Sequence, residues 1–190
     1  MPSNTRRQLE DWLRTIDVPA GAQVLDIGGA QKPVQGRTRT WEAEPASILD
    51  LPEPHEGGEV NIKLDIQHSG HPDFANIFDI AFCLEVSEYW YDPLSALRNI
   101  ADLLKTGGIL YISFHFIYPI HNPASEDCLR YTFAGACRLL GEAGFEVVSF
   151  QERIASDERP LVEFYNNEGM KPAAIAPIHT VGSLIKAKKV

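Results

Sequence analysis

Residues 23–30, Gln-Val-Leu-Asp-Ile-Gly-Gly-Ala, place a carboxylate and two glycines at the end of an apolar run. The run is too short for a helix and ends at glycine, which predicts a buried strand. Asp26, near the tip of this strand, can accept hydrogen bonds from a cationic or hydroxylated ligand. Gly28 and Gly29 let the backbone approach a ligand where a side chain would collide. In an open parallel sheet, the turn after such a strand lies at the crevice where ligands bind.

Acidic residues also follow three later apolar runs, at Asp50, Asp65 and Glu85. Asp50 and Asp65 lie beside turn residues, where an aspartate commonly accepts hydrogen bonds from the backbone. Each of these two therefore has both a structural and a ligand-binding interpretation. Because the carboxyl ends of parallel strands share one edge of a sheet, we expect the acidic side chains to line one crevice together.

A histidine, an aspartate and an arginine follow a later strand, at His121, Asp127 and Arg130. His121 is the candidate general base, because an imidazole titrates near neutral pH and this one lies in a loop. Asp127 could orient His121 or bind ligand hydroxyls, and Arg130 could hold an anionic group with two parallel hydrogen bonds. Alternatively, Asp127 and Arg130 form an internal ion pair beside the helix that follows Thr132. His115, at the end of the strand, is expected to be a packed residue.

A resident metal ion is not predicted. Potential ligands occur in one stretch, at Asp65, His68, His71 and Asp73, but their spacing does not match a closed ligand pattern. Covalent catalysis is not predicted either, because no arrangement of cysteine or serine with histidine is evident.

The composition is that of a single globular domain, expected to span all 190 residues. A formal net charge of −9 repels phosphate backbones and argues against nucleic-acid binding. No apolar run approaches the roughly 20 residues of a membrane span, and the polar N-terminus does not resemble a signal peptide. The three cysteines are scattered and lack Cys-x-x-Cys spacing, which favours free thiols in the cytoplasm.

The elements that must position these residues alternate between strands and helices. Strands are predicted at residues 23–27, 47–51, 60–65, 78–84, 109–114, 145–150 and 183–187. Helices are predicted from a capping box at residues 5–8 to about Asp17, from Asp92 to Gly107–Gly108, and from Thr132 to Gly144. Pro33 and Gly36 leave little room for a helix after the first strand, and residues 155–180 are predicted to be mostly loop.

This alternation predicts an α/β fold. Strands joined by helices imply right-handed crossovers and a parallel sheet covered on both faces. The last two strands have no clear helix between them, so they could form an antiparallel pair at one edge.

Three segments in order, residues 24–30, 78–89 and 103–113, resemble motifs of class I S-adenosylmethionine-dependent methyltransferases, in particular those of methyltransferase type 11. The resemblance implies a Rossmann-like fold. Its sheet is mostly parallel and seven-stranded, with an antiparallel strand near one edge and helices on both faces. The residues from His121 to Arg130 resemble a subgroup often associated with the modification of glycans or small metabolites.

The resemblance also implies S-adenosylmethionine as the cofactor and assigns its contacts. Asp26 and Gly28 match the positions that approach the methionine moiety. Gly29 and Ala30 match the positions where the backbone passes close to the cofactor, although the family more often has glycine at the position of Ala30. Glu85 lies at the mouth of the same crevice.

The remaining contacts are with the nucleoside of the cofactor. Asp50 matches the acidic residue that holds the ribose hydroxyls, with Glu44 as the alternative because the strand boundary is uncertain. Asp65 and Ile66 match the pair that receives the adenine.

The implied activity is methyl transfer to an oxygen or nitrogen of a small-molecule or glycan acceptor, with no nucleic-acid or membrane partner. A non-catalytic binding module with the same fold is the alternative. A dinucleotide-dependent oxidoreductase fits less well, since it needs a glycine-rich turn that opens a helix at its pyrophosphate. Here Pro33 occupies the last position of that turn, and no good helix follows.

Overall fold

The computed structural model describes residues 3–55, 57–68, 72–157, 163, 167–169 and 180–190. Two short strands, β1 (Asp17–Val18) and β3 (Thr40–Trp41), pair in a small parallel sheet of their own. The main sheet contains β2 (Val24–Ile27), β4 (Ser47–Asp50), β5 (Ile62–Lys63), β6 (Phe78–Cys83), β7 (Leu104–His115), β8 (Phe145–Ile154) and β9 (Thr180–Lys189). The helices are α1 (Asn4–Leu13), α2 (Pro93–Leu103) and α3 (Phe133–Glu142).

The main sheet has seven strands in the order β5-β4-β2-β6-β7-β9-β8. The first five strands of this order pair in parallel, and β9 runs antiparallel to both β7 and β8. The predicted mostly parallel sheet, with an antiparallel pair at one edge, is therefore confirmed. The strand order reverses between β2 and β6, and ligands bind at such a reversal in open α/β sheets.

Helices cover both faces of the sheet, as predicted. The apolar side chains of α1 pack with Val24, Ile80 and Phe82 on one face. Those of α2 and α3 pack with Leu25 and Ala81 on the other. Alternate residues of β2 and β6 therefore enter opposite cores, as expected for strands buried on both faces.

The first helix differs from its prediction at both ends. Its N-cap is Ser3, whose hydroxyl accepts a hydrogen bond from the backbone of Arg6, rather than a residue of the predicted capping box. The helix ends at Leu13, not near Asp17, because Asp17 pairs with Thr40 in the small sheet. This pairing joins residues distant in sequence, so helical periodicity could not reveal it.

The other two helices begin at the predicted caps. Asp92 accepts from the backbone of Ser95, and Thr132 accepts from that of Gly135. The predicted end of α2 at Gly107–Gly108 is wrong, because β7 already begins at Leu104. Gly107 instead lies within β7, with a φ of 81°, near a register irregularity between β6 and β7.

Residues 28–46 contain turns and β3 but no helix, which confirms the absence of a regular crossover helix after the first strand. Across the described residues, no helix has both the length and the apolar character needed to cross a membrane. Most of the loop predicted at residues 155–180 lies outside the described residues.

A candidate active site at the carboxyl ends of the parallel strands

A cavity of about 660 Å³ opens at the carboxyl edge of the parallel strands. Its lining includes residues that follow each of β2, β4, β5, β6 and β7, so the whole parallel part of the sheet contributes to it. Its volume falls in the range of small-molecule sites. Six of its lining residues were predicted as site residues from the sequence, namely Gly28, Asp50, Asp65, Ile66, Glu85 and His121.

The turn after β2 brings bare backbone to the cavity at Gly28. Its φ is 73°, and its N–H donates to the carbonyl oxygen of Leu49 at 2.8 Å. A Cβ at this position would lie 2.3 Å from Cγ2 of Val86. Both the conformation and the lack of space therefore require glycine here.

Asp26 stabilises this turn from behind. Its side chain is buried and accepts a hydrogen bond from the backbone of Val34 at 2.7 Å. Burial raises the pKa of Asp26 to about 7. A Cβ at Gly29 would lie 2.4 Å from the Asp26 carboxylate, so this glycine makes room for the carboxylate.

Asp26, Gly29 and Ala30 are not among the described residues that line the cavity. In this structure they support the turn, and the contacts predicted for them with a bound molecule stay a prediction. Ala30 is 7% exposed, so its methyl group does not narrow the cavity. Its carbonyl instead faces Gly58, where a Cβ would lie 2.0 Å from the oxygen.

Asp50 is at the cavity, whereas the alternative, Glu44, is exposed and lies outside the lining. The two oxygens of Asp50 accept from the backbone N–H groups of Ala30 at 3.2 Å and Leu51 at 2.8 Å. These bonds orient the carboxylate and join the turns after β2 and β4.

Asp65 and Ile66 line the cavity side by side. Asp65 accepts from the backbone of Gln67 at 3.0 Å and pairs with His68 at 2.9 Å. Of the four potential metal ligands between residues 65 and 73, Asp65 and His68 are thus paired with each other. His71 lies outside the described residues.

Glu85 follows β6 and lies where the cavity meets a buried polar cluster. Its carboxylate accepts from Nη1 of Arg153 at 2.7 Å and from the hydroxyl of Ser113 at 3.0 Å. Burial opposes ionisation, but His115 and Arg153 outweigh it and hold the pKa of Glu85 well below its usual value. Arg153, on β8, is fully buried and was not identified from the sequence.

Glu88 and His115 are functional candidates that sequence reasoning did not assign. Glu88 is fully buried, and its Oε1 lies 2.8 Å from Nδ1 of His121 and 3.2 Å from Nε2 of His115. Burial disfavours the charged imidazole, yet the carboxylates of Glu85 and Glu88 raise the pKa of His115 to about 9. His115 is packed as predicted, with Tyr118 stacked on its ring.

A signal for this cluster was present in the sequence. Glu85 and Glu88 both follow β6, and His115 ends β7, its neighbour in the sheet. Side chains after two adjacent parallel strands meet at one edge. The proximity of Glu88 and His115 could therefore have been inferred once those strands were paired.

Asp127 and Arg130 form the internal ion pair that was the alternative interpretation. Asp127 also accepts from the backbone N–H of His121 at 2.7 Å, and Arg130 donates to the carbonyls of Leu129 and Pro119. The hydrogen bond from Arg130 is the largest cause of the lowered pKa of Asp127. Neither side chain is among the described lining residues, so the pair positions the His121 loop instead of facing the cavity.

Loops from the two halves of the sheet meet over the cavity. His55, after β4, lies 3.0 Å from the carboxylate of Glu126 and packs against the ring of Tyr89. The hydroxyl of Tyr89 donates to the carbonyl of Asn122 at 2.8 Å. These contacts give the His121 end of the cavity an aromatic wall.

Comparisons with known proteins agree on one domain type. A family model described as a methyltransferase domain matches residues 47–112. The chain is similar to the ubiquinone biosynthesis O-methyltransferase of Marinobacter nauticus, with 29% identity over 106 residues. The similar region comprises 53% of this chain and 43% of that protein, so the chain spans less than half the length of this relative.

Solved structures share the fold at low identity. The 1,6-didemethyltoxoflavin-N1-methyltransferase of Burkholderia thailandensis, solved with 1,6-didemethyltoxoflavin and S-adenosylhomocysteine, has a TM-score of 0.62 and 19% identity over 98% of this chain and 78% of its own. The [4+2]-cyclase SpnF has a TM-score of 0.65 and 17% identity, covering 96% of this chain and 80% of its own. Because one neighbour is named for methyl transfer and the other for cyclisation, the function must be argued from the site.

Proposed function

We propose that the chain is a class I S-adenosylmethionine-dependent methyltransferase, which transfers a methyl group from S-adenosylmethionine to a small-molecule acceptor. The methyltransferase-domain match over residues 47–112 and the shared fold support this proposal. The observation that supports this most directly is that Gly28, Asp50 and Ile66 line the same cavity as His121. A two-substrate transfer requires both binding regions to open into one space, where the acceptor can be aligned with the methyl group.

The residues present fit the sugar of the cofactor. A carboxylate offers about four lone-pair positions. The backbone hydrogen bonds to Asp50 use one on each of its oxygens, which leaves both oxygens able to accept again. Asp50 would therefore hold the two ribose hydroxyls while the existing bonds keep it oriented.

The other cofactor contacts follow from the same edge of the sheet. Ile66 offers an apolar surface to the adenine, and Asp65 offers a carboxylate to its exocyclic amino group. Gly28 gives the methionine moiety access to backbone without a side chain in the way. S-adenosylmethionine has no phosphate, so the absence of a helix after β2 does not disfavour it.

The reaction is an in-line displacement. The acceptor atom forms a bond to the methyl carbon, the bond from carbon to sulfur breaks, and its electron pair remains on sulfur. The bound cofactor supplies the activated methyl group, so the chain mainly aligns the acceptor and excludes water.

An acceptor hydroxyl must also lose a proton, and His121 is the candidate base. Nδ1 of His121 donates a hydrogen bond to the carboxylate of Glu88. In the neutral imidazole, Nε2 is then the nitrogen that can accept a proton. Asp127 holds the backbone of the same residue. Asp127 and Arg130 thus act as positioning residues for His121.

The acceptor we favour is a hydroxyl on a small, flat molecule, with a glycan as the alternative. The ubiquinone-pathway relative is named an O-methyltransferase, which supports oxygen as the methylated atom. Tyr89 and Tyr118 line the cavity near His121, and aromatic side chains stack favourably on flat rings.

Isothermal calorimetry with S-adenosylmethionine and S-adenosylhomocysteine tests the cofactor assignment. We expect both to bind with one site per chain. Absence of binding to either compound would refute the proposed function.

Methyl transfer is tested by incubating the protein with methyl-labelled S-adenosylmethionine and a panel of phenols, catechols and sugars. His121→Ala should lower turnover by about 100-fold or more while cofactor affinity is retained. Tight cofactor binding without transfer to any acceptor class would instead favour the non-catalytic binding module. Retained turnover in His121→Ala would exclude His121 as the base.

A further inference from the structure

Three potential metal ligands converge behind the His121 end of the cavity. Glu88 follows β6, His115 ends β7, and His121 lies in the loop beyond. One donor atom from each lies within 4.8 Å of the other two. His121 lines the cavity, and the other two are buried behind it.

Several polar atoms of this cluster lack hydrogen-bond partners among the described residues. They are Oε2 of Glu88 and both ring nitrogens of His115. Glu88 is 0% exposed and His115 is 1% exposed, so water cannot easily compensate. Nε2 of His115 lies near two carboxylates but is not aligned for a hydrogen bond with either. Buried polar atoms are normally paired, and an unseen ion is one explanation when they are not.

The distances suit ligands that share one ion. Oε1 of Glu88 lies 2.8 Å from Nδ1 of His121 and 3.2 Å from Nε2 of His115. Ligand atoms about 2.1 Å from a common ion stand roughly 3.0 Å apart in octahedral geometry and about 3.4 Å apart in tetrahedral geometry. The two distances from Glu88 are close to these values, and the donor atoms of His115 and His121 lie within 4.8 Å of each other.

The charges around the cluster also suit a bound cation. Arg153 and Ser113 already occupy the Glu85 carboxylate, whose nearer oxygen is 3.4 Å from His115. The positive charge of Arg153 is therefore offset by Glu85. A metal ion bound to His115 would replace the imidazole proton as the positive charge beside Glu88. Two imidazoles and one carboxylate are a donor set used by catalytic zinc sites that keep one position open.

We propose that Glu88, His115 and His121 bind a divalent first-row metal ion, with Zn²⁺ as the preferred ion and one coordination position open to the cavity. This inference rests on the proposed function, since an acceptor hydroxyl would take the open position. Coordination lowers the pKa of a bound hydroxyl. The hydroxyl proton then passes to bulk water, the oxygen bonds to the methyl carbon, and the electron pair of the broken bond stays on sulfur.

His121 would have different roles in the metal-bound and the metal-free protein. With the ion bound, His121 is a ligand through Nδ1. Without it, the hydrogen bond to Glu88 leaves Nε2 available as a base. Metal binding must therefore be measured directly, because loss of turnover in a His121 variant fits both roles.

The test starts from full-length protein treated with a chelator and then dialysed against Zn²⁺. Elemental analysis should find one ion per chain, and Zn²⁺ should raise the melting temperature of the chelated protein. Glu88→Gln and His121→Gln should each weaken Zn²⁺ binding by about 10-fold or more, because losing a ligand costs at least as much as losing a hydrogen-bond partner of a ligand. His68→Gln, which removes an exposed imidazole outside the cluster, should leave Zn²⁺ binding unchanged.

Glu88 is buried, so its variant could fail to fold. His121→Gln at the cavity surface provides the second variant, and visible absorption of Co²⁺ bound to wild type provides a second measurement. The proposal is overturned if the chelated protein takes up no Zn²⁺, or if both cluster variants bind Zn²⁺ as tightly as wild type. Calorimetry with S-adenosylmethionine on the same chelated sample separates the outcomes, because cofactor binding without metal uptake rejects this site alone.

Discussion

Asp26 illustrates how a single buried side chain can make stability depend on pH. Its pKa is raised from 3.8 to about 7, chiefly by burial. Between these values the unfolded chain releases the proton while the folded chain retains it. The contribution of Asp26 to stability is therefore greatest below about pH 4 and is lost as the pH rises through about 7.

Asp26→Asn should remove this dependence, because an amide does not ionise and its oxygen can still accept from the backbone of Val34. We expect the variant to gain stability relative to wild type, by up to a few kcal/mol, between about pH 5 and pH 8. Urea unfolding at the two pH values measures the change. Asp11→Asn, at an exposed aspartate of α1, serves as the control. A difference between Asp26→Asn and wild type that is the same at both pH values would contradict the expected ionisation.

Asp50 is the residue on which cofactor affinity should depend most strongly. Asp50→Asn retains oriented polar atoms but loses the charge, so S-adenosylmethionine should bind about 10- to 100-fold more weakly, as expected for loss of charge-assisted hydrogen bonds. Calorimetry measures the affinity. Glu44→Gln should bind like wild type because Glu44 lies outside the described lining. Equal affinities for wild type and Asp50→Asn would remove Asp50 from the ribose site.

Among the elements, the loop after β4 depends on close backbone contact with the turn after β2. Gly58 has a φ of 124°, and a Cβ there would collide with the carbonyl of Ala30. Pro54, His55 and Gly57 of the same loop line the cavity. A side chain at Gly58 would therefore move this wall of the cavity.

Gly58→Ala should lower both the free energy of unfolding and the affinity for S-adenosylmethionine, the latter by about 10-fold, equivalent to 1.4 kcal/mol. Gly36→Ala is the matched control, since Gly36 also has a positive φ but faces open space. It should lose only about 1–2 kcal/mol of stability from its backbone conformation and should retain cofactor affinity. Indistinguishable behaviour of the two variants would mean that the contact with Ala30 does not constrain the loop.

At the scale of the whole molecule, Arg153 connects the antiparallel edge to the cavity. It lies on β8, is fully buried, and donates to the Glu85 carboxylate and to the backbone carbonyl of Thr5. One side chain thus joins the last strand of the sheet order to the end of β6 and to α1. Removing it would leave Glu85 as a charge without its guanidinium partner.

Arg153→Met should therefore destabilise the fold by about 3–5 kcal/mol, the usual cost of breaking a buried ion pair from one side. In the double variant Arg153→Met/Glu85→Gln the loss should be smaller than the sum of the two single losses. Urea unfolding of all three variants measures the coupling. Arg138→Met, at an exposed pair with Glu142, should cause little change. Additive losses would show that Arg153 and Glu85 do not stabilise each other.

Much of the fold could be predicted because its signals are local. The caps at Asp92 and Thr132 need only the N–H groups of the next turn, and the strand before Gly28 needs only its apolar run. The carboxylate of Asp50 was likewise predictable, since it stands at a strand end that a parallel sheet brings to the cavity. The end of α1 was not, because it depends on the pairing of Asp17 with Thr40.

The sequence by itself determined the order of strands and helices, the turn at Gly28, and the residue types present at each strand end. Only the tertiary structure decided which of these side chains face the cavity. It turned Asp26 inward, paired Asp127 with Arg130, and brought Arg153 to Glu85 across 68 positions. The physical reason is that hydrogen bonds and burial act between neighbours in space. Local periodicity identifies a strand end, but the adjacent strands and loops determine what its side chain contacts.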